Sequence, residues 1–323
     1  MVDHRKTSRS RRRTWFGSKR HVKRILASAP IARAMEPVLR RTQPPDALRR
    51  WPVPVDEVVG RVRGGAFVML DPFQCTVAKE LFWGYGHRPN PEERFALELV
   101  TALADGADRF LDIGAYTGIF SLAVASAHPS VAVDAYELVP DVFQLLFANV
   151  ARNDLLARVD CHCLALGRPG EPGDAVRIPM ALKGSSLPTS YSTRLTFEDG
   201  VGIPARSLDQ VTVDWPDERV VMKVDIEGSE VDLLEHAHAY LSRTRPDILC
   251  EVLASQQDPA AIERSLAPLG YRWYLVGEGE LLPRTKIEPD RHLRDWLFTV
   301  RPEAEIAAAA RVAATASASG GGP

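Results

Sequence analysis

Cysteine is scarce in this sequence, which has 4 cysteines among 323 residues. None of them belongs to a Cys-x-x-Cys pair, so neither a disulfide framework nor a cysteine-rich zinc site is indicated. Long apolar runs are also missing, because no segment approaches the ~18 residues that cross a bilayer. These absences predict a protein of a reducing, cytoplasmic compartment with no membrane span.

The formal net charge is only −2, but the charge is unevenly distributed. Residues 1–50 hold 15 Lys and Arg against 3 Asp and Glu, a net of +12, whereas residues 51–323 hold 25 against 39, a net of −14. The first stretch is too charged to collapse, so we predict a basic, largely disordered arm over residues 1–50. Three interpretations stay open for it: contact with nucleic acid or another anionic surface, a targeting segment, and a solvated tail. Residues 22–41 have the composition of a short basic amphipathic helix.

Residues 51–108 predict a β-hairpin followed by a helix. Apolar and polar residues alternate over residues 53–72 around a Gly-Gly pair, which is typical of a hairpin. Farther on, Phe95, Leu99 and Leu103 recur at i, i+4 and i+8 and would share one helical face.

Strands and helices alternate from residue 109 to residue 302, which predicts parallel strands with helices on both faces of a sheet. The last two strands have no clear helix between them, which favours antiparallel pairing. We therefore predict an α/β fold with a doubly wound, mostly parallel seven-stranded sheet that contains one antiparallel strand. Residues 303–323 form a low-complexity Ala/Ser/Gly tail, which favours helix but offers little large apolar surface.

The first strand–helix junction, FLDIGAYTGIFSL, has the features of a nucleoside site. Gly114 and Gly118 allow the backbone to approach a ligand, and Asp112 stands where the strand ends. The dinucleotide fingerprint GxGxxG is absent, because Tyr116 occupies the position of its second glycine. The loop therefore suits a nucleoside without a pyrophosphate better than NAD or FAD.

The second strand ends in Glu137, 23 residues after Gly114. An acidic side chain there is placed to accept hydrogen bonds from two ribose hydroxyls. The alternative is that Glu137 only precedes the next helix, which begins near Pro140.

These segments, with several later ones, resemble the FkbM family of S-adenosylmethionine-dependent methyltransferases. The resemblance spans roughly residues 80–300, and KVDIEGSE at 223–230 followed by RPDILCEV is its most specific part. The other segments that carry it are YELVPDVFQLLFANVARN, ALG at 165–167, KGSSL at 183–187 and ARSLD at 205–209. The resemblance implies a Rossmann-like class I fold, S-adenosylmethionine as cofactor, and methyl transfer to a hydroxyl oxygen of a natural product or sugar.

The resemblance also implies a set of cofactor-binding residues. Asp112, Gly114 and Gly118 would line the methionine part of the cofactor, and Glu137 would hold its ribose. The adenine would be flanked from Ala165 and Leu166, and the neighbouring positions in the same predicted set are Ala115, Tyr116 and Leu138. The family commonly has asparagine at the position of Tyr116, so a side-chain contact made by that asparagine does not transfer to this chain.

The KVDIEGSE segment supplies the candidate catalytic residues. Asp225, at the end of a strand, is the first candidate for a general base or substrate-orienting group, and Glu227 is the second. Lys223 would pair with one of these carboxylates or tune it. Alternatively, both carboxylates only cap the next helix and anchor the cofactor's amino group. Glu251 is a lesser candidate for the acceptor site. Together, Asp225, Glu227 and Glu251 would supply oxygen ligands that suit Mg²⁺, but their spacing does not require a metal.

The methyl acceptor is expected to be a small molecule with a hydroxyl group, bound by irregular segments above the sheet. Residues 183–200, rich in hydroxyl side chains, are the first candidate, and individual guesses are Trp83, Tyr85, Tyr191 and Arg194. His87 is taken as an ordinary loop histidine. Two other functions stay open: methylation of RNA or another polyanion held by the basic arm, and a non-catalytic binding protein that retains the fold.

Overall fold

The computed structural model describes residues 29–43, 48, 51, 53–168, 175–178, 187, 200–253 and 258–319. Most of the predicted basic arm, the last four residues of the tail, and the candidate acceptor residues Tyr191 and Arg194 lie outside the described residues. Within the described residues, no helix is long and apolar enough to cross a membrane.

Ten α-helices and thirteen strands are present in the described parts of the chain. The helices are α1 Ala29–Thr42, α2 Thr76–Trp83, α3 Pro91–Leu103, α4 Ile119–Ala127, α5 Pro140–Arg152, α6 Leu208–Val211, α7 Glu230–Glu235, α8 His238–Thr244, α9 Pro259–Leu266 and α10 Glu303–Ser319. The strands are β1 Glu57–Val62, β2 Gly65–Leu70, β3 Arg109–Ile113, β4 Ala132–Tyr136, β5 Val159–His162, β6 Ala165–Leu166, β7 Ala175–Ile178, β8 Val201–Arg206, β9 Val220–Val224, β10 Asp247–Glu251, β11 Arg272–Val276, β12 Leu281–Arg284 and β13 Asp295–Thr299.

The main sheet has the strand order β12-β11-β13-β10-β9-β3-β4-β5. Strands β5, β4, β3, β9 and β10 are parallel. Strand β13 lies antiparallel between β10 and β11. The seven predicted strands, the reversed one among them, are therefore present, and this arrangement is the doubly wound Rossmann-like fold.

An eighth strand, β12, lies at the edge of the sheet where the sequence predicts a loop. It pairs antiparallel with β11 after a tight turn in which Gly279 has a φ of 84°. Its residues are only partly buried or exposed, and it contains Pro283, which is tolerated at an edge. Buried and exposed residues do not alternate along this strand, so the sequence carries no clear signal for it.

The predicted third strand is divided into two short strands. The chain leaves the main sheet after His162, and β6 pairs instead with β8 in a three-stranded sheet, β6-β8-β7. The cause is the lack of a partner, because β4 ends at Tyr136 and its chain continues into α5. The sheet edge beyond His162 therefore offers no ladder of backbone groups.

The two faces of the sheet are covered by different elements. Alternate residues of β3 point to opposite sides, with Phe110 in one core and Leu111 and Ile113 in the other. The first core includes the hairpin β1–β2 together with α3, α4 and α5, and the second includes α7, α8 and α9. The predicted N-terminal hairpin and helix are thus part of the body of the fold.

The described parts of both predicted end segments contain a helix. Part of the predicted arm forms α1, whose Leu39 is buried with Val53 and Trp83. Part of the predicted low-complexity tail forms α10, which packs against α3 with Ile306 and Ala313 buried. Small alanine side chains allow two helices to approach closely, so a helix with little large apolar surface can still pack.

Candidate active site

Strands β3 and β9 end side by side, and the two loops that follow them are in close contact. Ile113 lies opposite Val224 in the parallel register. Gly114 has a φ of 77°, and a Cβ atom at this position would lie 1.8 Å from the backbone oxygen of Asp225. Only glycine fits here, which explains the first glycine of the predicted nucleoside loop.

Lys223 connects these two loops from beneath. Its Nζ atom donates a hydrogen bond to the Gly114 carbonyl at 2.7 Å and lies 3.3 Å from Asp225 Oδ2 and 3.9 Å from Asp112 Oδ1. Burial lowers the pKa of the Lys223 ammonium, but Asp225 and Asp112 raise it more, so that this pKa exceeds its usual value. Lys223 therefore stays charged and holds the Gly114 carbonyl in place.

Asp112 is completely buried and fixes the start of α4. Its Oδ2 atom accepts hydrogen bonds from the Ser121 N–H at 3.0 Å and the Ser121 hydroxyl at 2.6 Å. Its Oδ1 atom is buried and has no hydrogen bond to the described residues. Burial raises the pKa of Asp112, whereas Lys223 and Ser121 oppose the rise.

Glu137 is buried and holds the loop that contains Tyr116. Its Oε1 atom accepts a hydrogen bond from the Val139 N–H at 2.7 Å, and its Oε2 atom accepts one from the Tyr116 N–H at 3.0 Å. Burial raises the pKa of Glu137 to about 7, although these two donors and Lys223 lower it. The hydrogen bond from Val139 shows that Glu137 also supports the start of α5, the alternative role considered from the sequence. Each carboxylate oxygen retains a second lone pair that can accept a further hydrogen bond.

Tyr116 has a φ of 51°, a conformation that an aromatic residue adopts at a cost. Its ring packs between the main core and the cluster around Leu138, Val139 and Ala165. Its hydroxyl is buried and forms no hydrogen bond with the described residues. The tyrosine at this position therefore fills apolar space between the two clusters.

The remaining predicted cofactor residues border this loop. Gly118, with a φ of 90°, begins α4, and a Cβ atom there would lie 2.6 Å from Leu146. Leu138, Ala165 and Leu166 are buried beside the ends of β4 and β5. Leu138 and Ala165 belong to one small apolar cluster, and Leu166 belongs to the second core.

A cavity of about 420 Å³ opens at the carboxyl ends of the parallel strands, and we call it the strand-edge cavity. It is lined by four of the predicted site residues, Ala115, Tyr116, Lys223 and Asp225, and by Glu251. The other predicted cofactor residues, and Glu227, do not line it. Its remaining lining residues are Thr76, Val77, Glu80, Arg88, Glu93, Ala96, Ile119, Phe120, Val224, Leu249, Arg294 and Asp295.

Carboxylates are crowded at this edge of the sheet. Asp225, Glu227 and Glu251 each bring one oxygen to within 4.8 Å of the others, a spacing that would suit a divalent cation such as Mg²⁺. Burial raises the pKa of Glu227 to about 7 and that of Glu251 to about 9, and the negative charge of Asp225 contributes to both. Glu227 also has a φ of 54°, in the left-handed region.

Two charged residues of the strand-edge cavity, Asp295 and Arg88, are not predicted from the sequence. Asp295 lies directly opposite Glu251 on the reversed strand β13, so its position at the start of that strand places it at the carboxyl ends of the parallel strands. The predicted antiparallel pairing of the last strand is the sequence signal that could have located Asp295. Arg88 comes from the segment between α2 and α3 and forms ion pairs with Glu80 at 3.0 Å and with Glu93.

The structure places the two N-terminal acceptor candidates away from the strand-edge cavity. Trp83 is buried in the cluster with Leu39 and Val53, and Tyr85 is 52% exposed on the outer surface. Neither residue lines the strand-edge cavity, and His87 does not line it either. Of the candidate acceptor segment, Leu187 donates a backbone hydrogen bond to the Gln74 carbonyl at 3.1 Å, just before α2.

Comparison with known proteins gives a family and a set of similar folds. Residues 112–273 match the model of the methyltransferase FkbM domain. No curated protein matches. Among solved structures, methyltransferase FkbM from Methylobacillus flagellatus is 19% identical with a TM-score of 0.40, and the match covers 59% of this chain and 43% of that one.

Two further structures are similar at the level of the fold. The O-methyltransferase from Bacillus cereus, in complex with SAH, is 14% identical with a TM-score of 0.37, over 65% of this chain and 80% of that one. A SAM-dependent O-methyltransferase from Thermotoga maritima is 13% identical with a TM-score of 0.31, over 61% of each chain. Because the family model matches half of the chain, from Asp112 at the end of β3 to Trp273 in β11, the protein belongs to the FkbM methyltransferase family.

Proposed function

We propose that this protein transfers a methyl group from S-adenosylmethionine to a hydroxyl oxygen of a small molecule, such as a natural product or a sugar. The observation that carries the proposal is the strand-edge cavity, where the glycine loop of Ala115 and Tyr116 meets Lys223 and Asp225. The family match supports methyl transfer, and the oxygen acceptor is our inference from the carboxylates that line the cavity.

The residues near Gly114 suit a nucleoside cofactor. A Cβ atom at Gly114 would collide with the Asp225 backbone, so the glycine loop packs directly against the loop after β9, and its next two residues, Ala115 and Tyr116, line the cavity. Glu137 would accept hydrogen bonds from the ribose, and Leu138, Ala165 and Leu166 would flank the adenine. Asp112 and Lys223 would fix the loop at the methionine end. The cofactor supplies an electrophilic methyl group, which this chain must bring into line with the acceptor oxygen.

We infer that a carboxylate at the strand-edge cavity accepts the proton that the acceptor hydroxyl loses. Asp225 remains the first candidate, because it lines the cavity and Lys223 holds it at 3.3 Å. Its side chain is 40% exposed, so an acceptor can reach it. Glu227 is the second candidate: it does not line the cavity, but its carboxylate lies within 4.8 Å of those of Asp225 and Glu251, and its pKa of about 7 suits proton transfer near neutral pH. Lys223 would act by orienting Asp225.

The charge of the cavity favours a small hydroxylated acceptor over a polyanion. Asp295 lines the cavity and makes no ion pair or side-chain hydrogen bond with the described residues, and Glu251 lies directly opposite. The lining holds five carboxyl groups against three cations, so it offers a phosphate backbone no net positive charge, whereas hydroxyl groups donate hydrogen bonds to carboxylates.

The proposal is tested by offering the protein methyl-labelled S-adenosylmethionine with sugars, other alcohols and RNA, and locating the label by mass spectrometry and NMR. We expect label on an oxygen of a small molecule, with turnover reduced about 10²-fold or more in Asp225→Asn. The exposed Asp214→Asn serves as the matched control and should retain full activity. Label on RNA, on nitrogen or on carbon would contradict the proposal.

A further inference from the structure

A second cavity, of about 650 Å³, lies on the other side of α3 from the strand-edge cavity. Glu93 and Ala96 of α3 line the strand-edge cavity, whereas Glu98 lines the second one. Since successive helical residues are rotated by about 100°, Glu98 faces away from Glu93 and Ala96. The second cavity is therefore separate from the proposed active site.

The second cavity is bounded by the end of the hairpin, the segment between α2 and α3, and one side of α10. Six residues of α10 line the second cavity: Ala308, Arg311, Val312, Thr315, Ala316 and Ser319. The residues at 308, 312 and 316 are four apart and form an apolar row, and those at 311, 315 and 319 form a polar row beside it. From the helical rise, each row is roughly 12 Å long.

The cavity carries an excess of positive charge. Arg63 and Arg311 both line it, both are exposed, and neither forms an ion pair or a side-chain hydrogen bond with the described residues. Glu98, which also lines the cavity, is 3% exposed, and its Oε2 atom accepts a hydrogen bond from the backbone N–H of Arg63 at 3.1 Å. Two guanidinium groups are thus available to a ligand, next to an apolar row.

The surroundings of His87 also indicate a positive local potential. His87 lines the second cavity, and its pKa is lowered by burial and then by the charges of Arg94 and Arg61. Arg94 itself is engaged, because it donates hydrogen bonds to the Arg88 carbonyl at 2.8 Å and the Ser317 carbonyl at 3.2 Å.

We propose that the second cavity binds a small organic anion, with a carboxylate or phosphate head held by Arg63 and Arg311 and a short apolar chain along Ala308, Val312 and Ala316. Guanidinium groups recognise both kinds of head with paired hydrogen bonds. A row of about 12 Å is long enough to accommodate an extended chain of roughly eight carbons. Such a ligand contacts α3 and α10 without entering the strand-edge cavity.

The experiment is a calorimetric titration of the full chain with octyl phosphate and with octanoate, both kept below the concentration at which they form micelles. We expect saturable binding at one site by at least one of them. In Arg63→Gln/Arg311→Gln the affinity should fall at least about tenfold, which corresponds to the loss of a charge-assisted hydrogen bond. Arg284→Gln, an exposed arginine on the edge strand β12, is the matched control and should bind as the unaltered protein does.

Four results would overturn this proposal: no saturable binding, equal binding of octylamine, unchanged affinity in the double variant, or binding only to vesicles of anionic lipid. A titration with S-adenosylhomocysteine in the same variants distinguishes this proposal from the methyltransferase proposal. Neither arginine belongs to the proposed active site, so that affinity should not change.

Discussion

Lys223 shows how one buried cation organises the proposed site. It stands on β9, where every residue is buried, and contacts Gly114, Asp112 and Asp225 through its ammonium group. The removal of one member of a buried charged group is costly, because the remaining charges lose their compensation. The residue therefore contributes to the stability of the fold as well as to the position of the glycine loop.

We predict that Lys223→Met lowers the free energy of unfolding by about 3–5 kcal/mol, because Asp112 is left as an uncompensated buried carboxylate. Urea denaturation at neutral pH measures this loss. Lys286→Met, at an exposed position, is the matched control and should change the free energy by less than about 0.5 kcal/mol. An equally small change in Lys223→Met would contradict the prediction.

Glu251 and Asp295 are a second residue-scale feature, because they place two partly buried carboxyl groups directly opposite each other on adjacent strands. Burial and neighbouring carboxylates raise the pKa of Asp295 to about 7 and that of Glu251 to about 9. An acid whose pKa is higher in the folded state binds more protons there than in the unfolded state. Its contribution to stability therefore falls as the pH rises from about 4 to the folded-state pKa.

Asp295→Asn should accordingly be more stable than the unaltered protein at pH 8, with a melting temperature higher by about 2–4 °C. At pH 5, where Asp295 is protonated in the folded protein, the difference should be smaller. Thermal unfolding at both pH values tests this, with Asp214→Asn as the control. A lower melting temperature for Asp295→Asn at pH 8 would refute the proposed cost of ionising Asp295 in the folded protein.

At the scale of elements, the sequence predicts what has strong periodicity. The buried runs of β3 and β9, and the helix that places Phe95, Leu99 and Leu103 in the core, are found as expected. The edge strand β12 has no such pattern, and the break between β5 and β6 depends on where a neighbouring strand ends. The packing of α10 also depends on its partner helix, so composition alone does not reveal it.

The packing of α10 on α3 gives a prediction at this scale. Ala313 is completely buried, so Ala313→Leu should force the two helices apart and lower the free energy of unfolding by about 1–3 kcal/mol. Ala304→Leu, at an exposed position of the same helix, should have little effect. Equilibrium unfolding in urea compares the two variants, and equal stabilities would show that α10 is not firmly packed.

For the molecule as a whole, the two sides of the proposed site differ in how well the sequence predicts them. The proposed cofactor side comes from consecutive strand–helix junctions, so the spacing from Gly114 to Glu137 is enough to predict it. The acceptor side combines Arg88 from the N-terminal extension with Asp295 from the reversed strand, more than 200 residues apart in the chain. Only the folded topology brings these residues together.

The central claim is that this chain binds S-adenosylmethionine at the loop held by Glu137. The most direct measurement is a calorimetric titration with S-adenosylhomocysteine of the unaltered protein, Glu137→Ala, and Asp141→Ala as an exposed control on α5. We predict saturable binding that is at least about tenfold weaker in Glu137→Ala, because two ribose hydrogen bonds are lost, and unchanged in Asp141→Ala. Circular dichroism should show that all three proteins are folded. Folded protein that does not bind, or equal affinity in Glu137→Ala, would contradict the account.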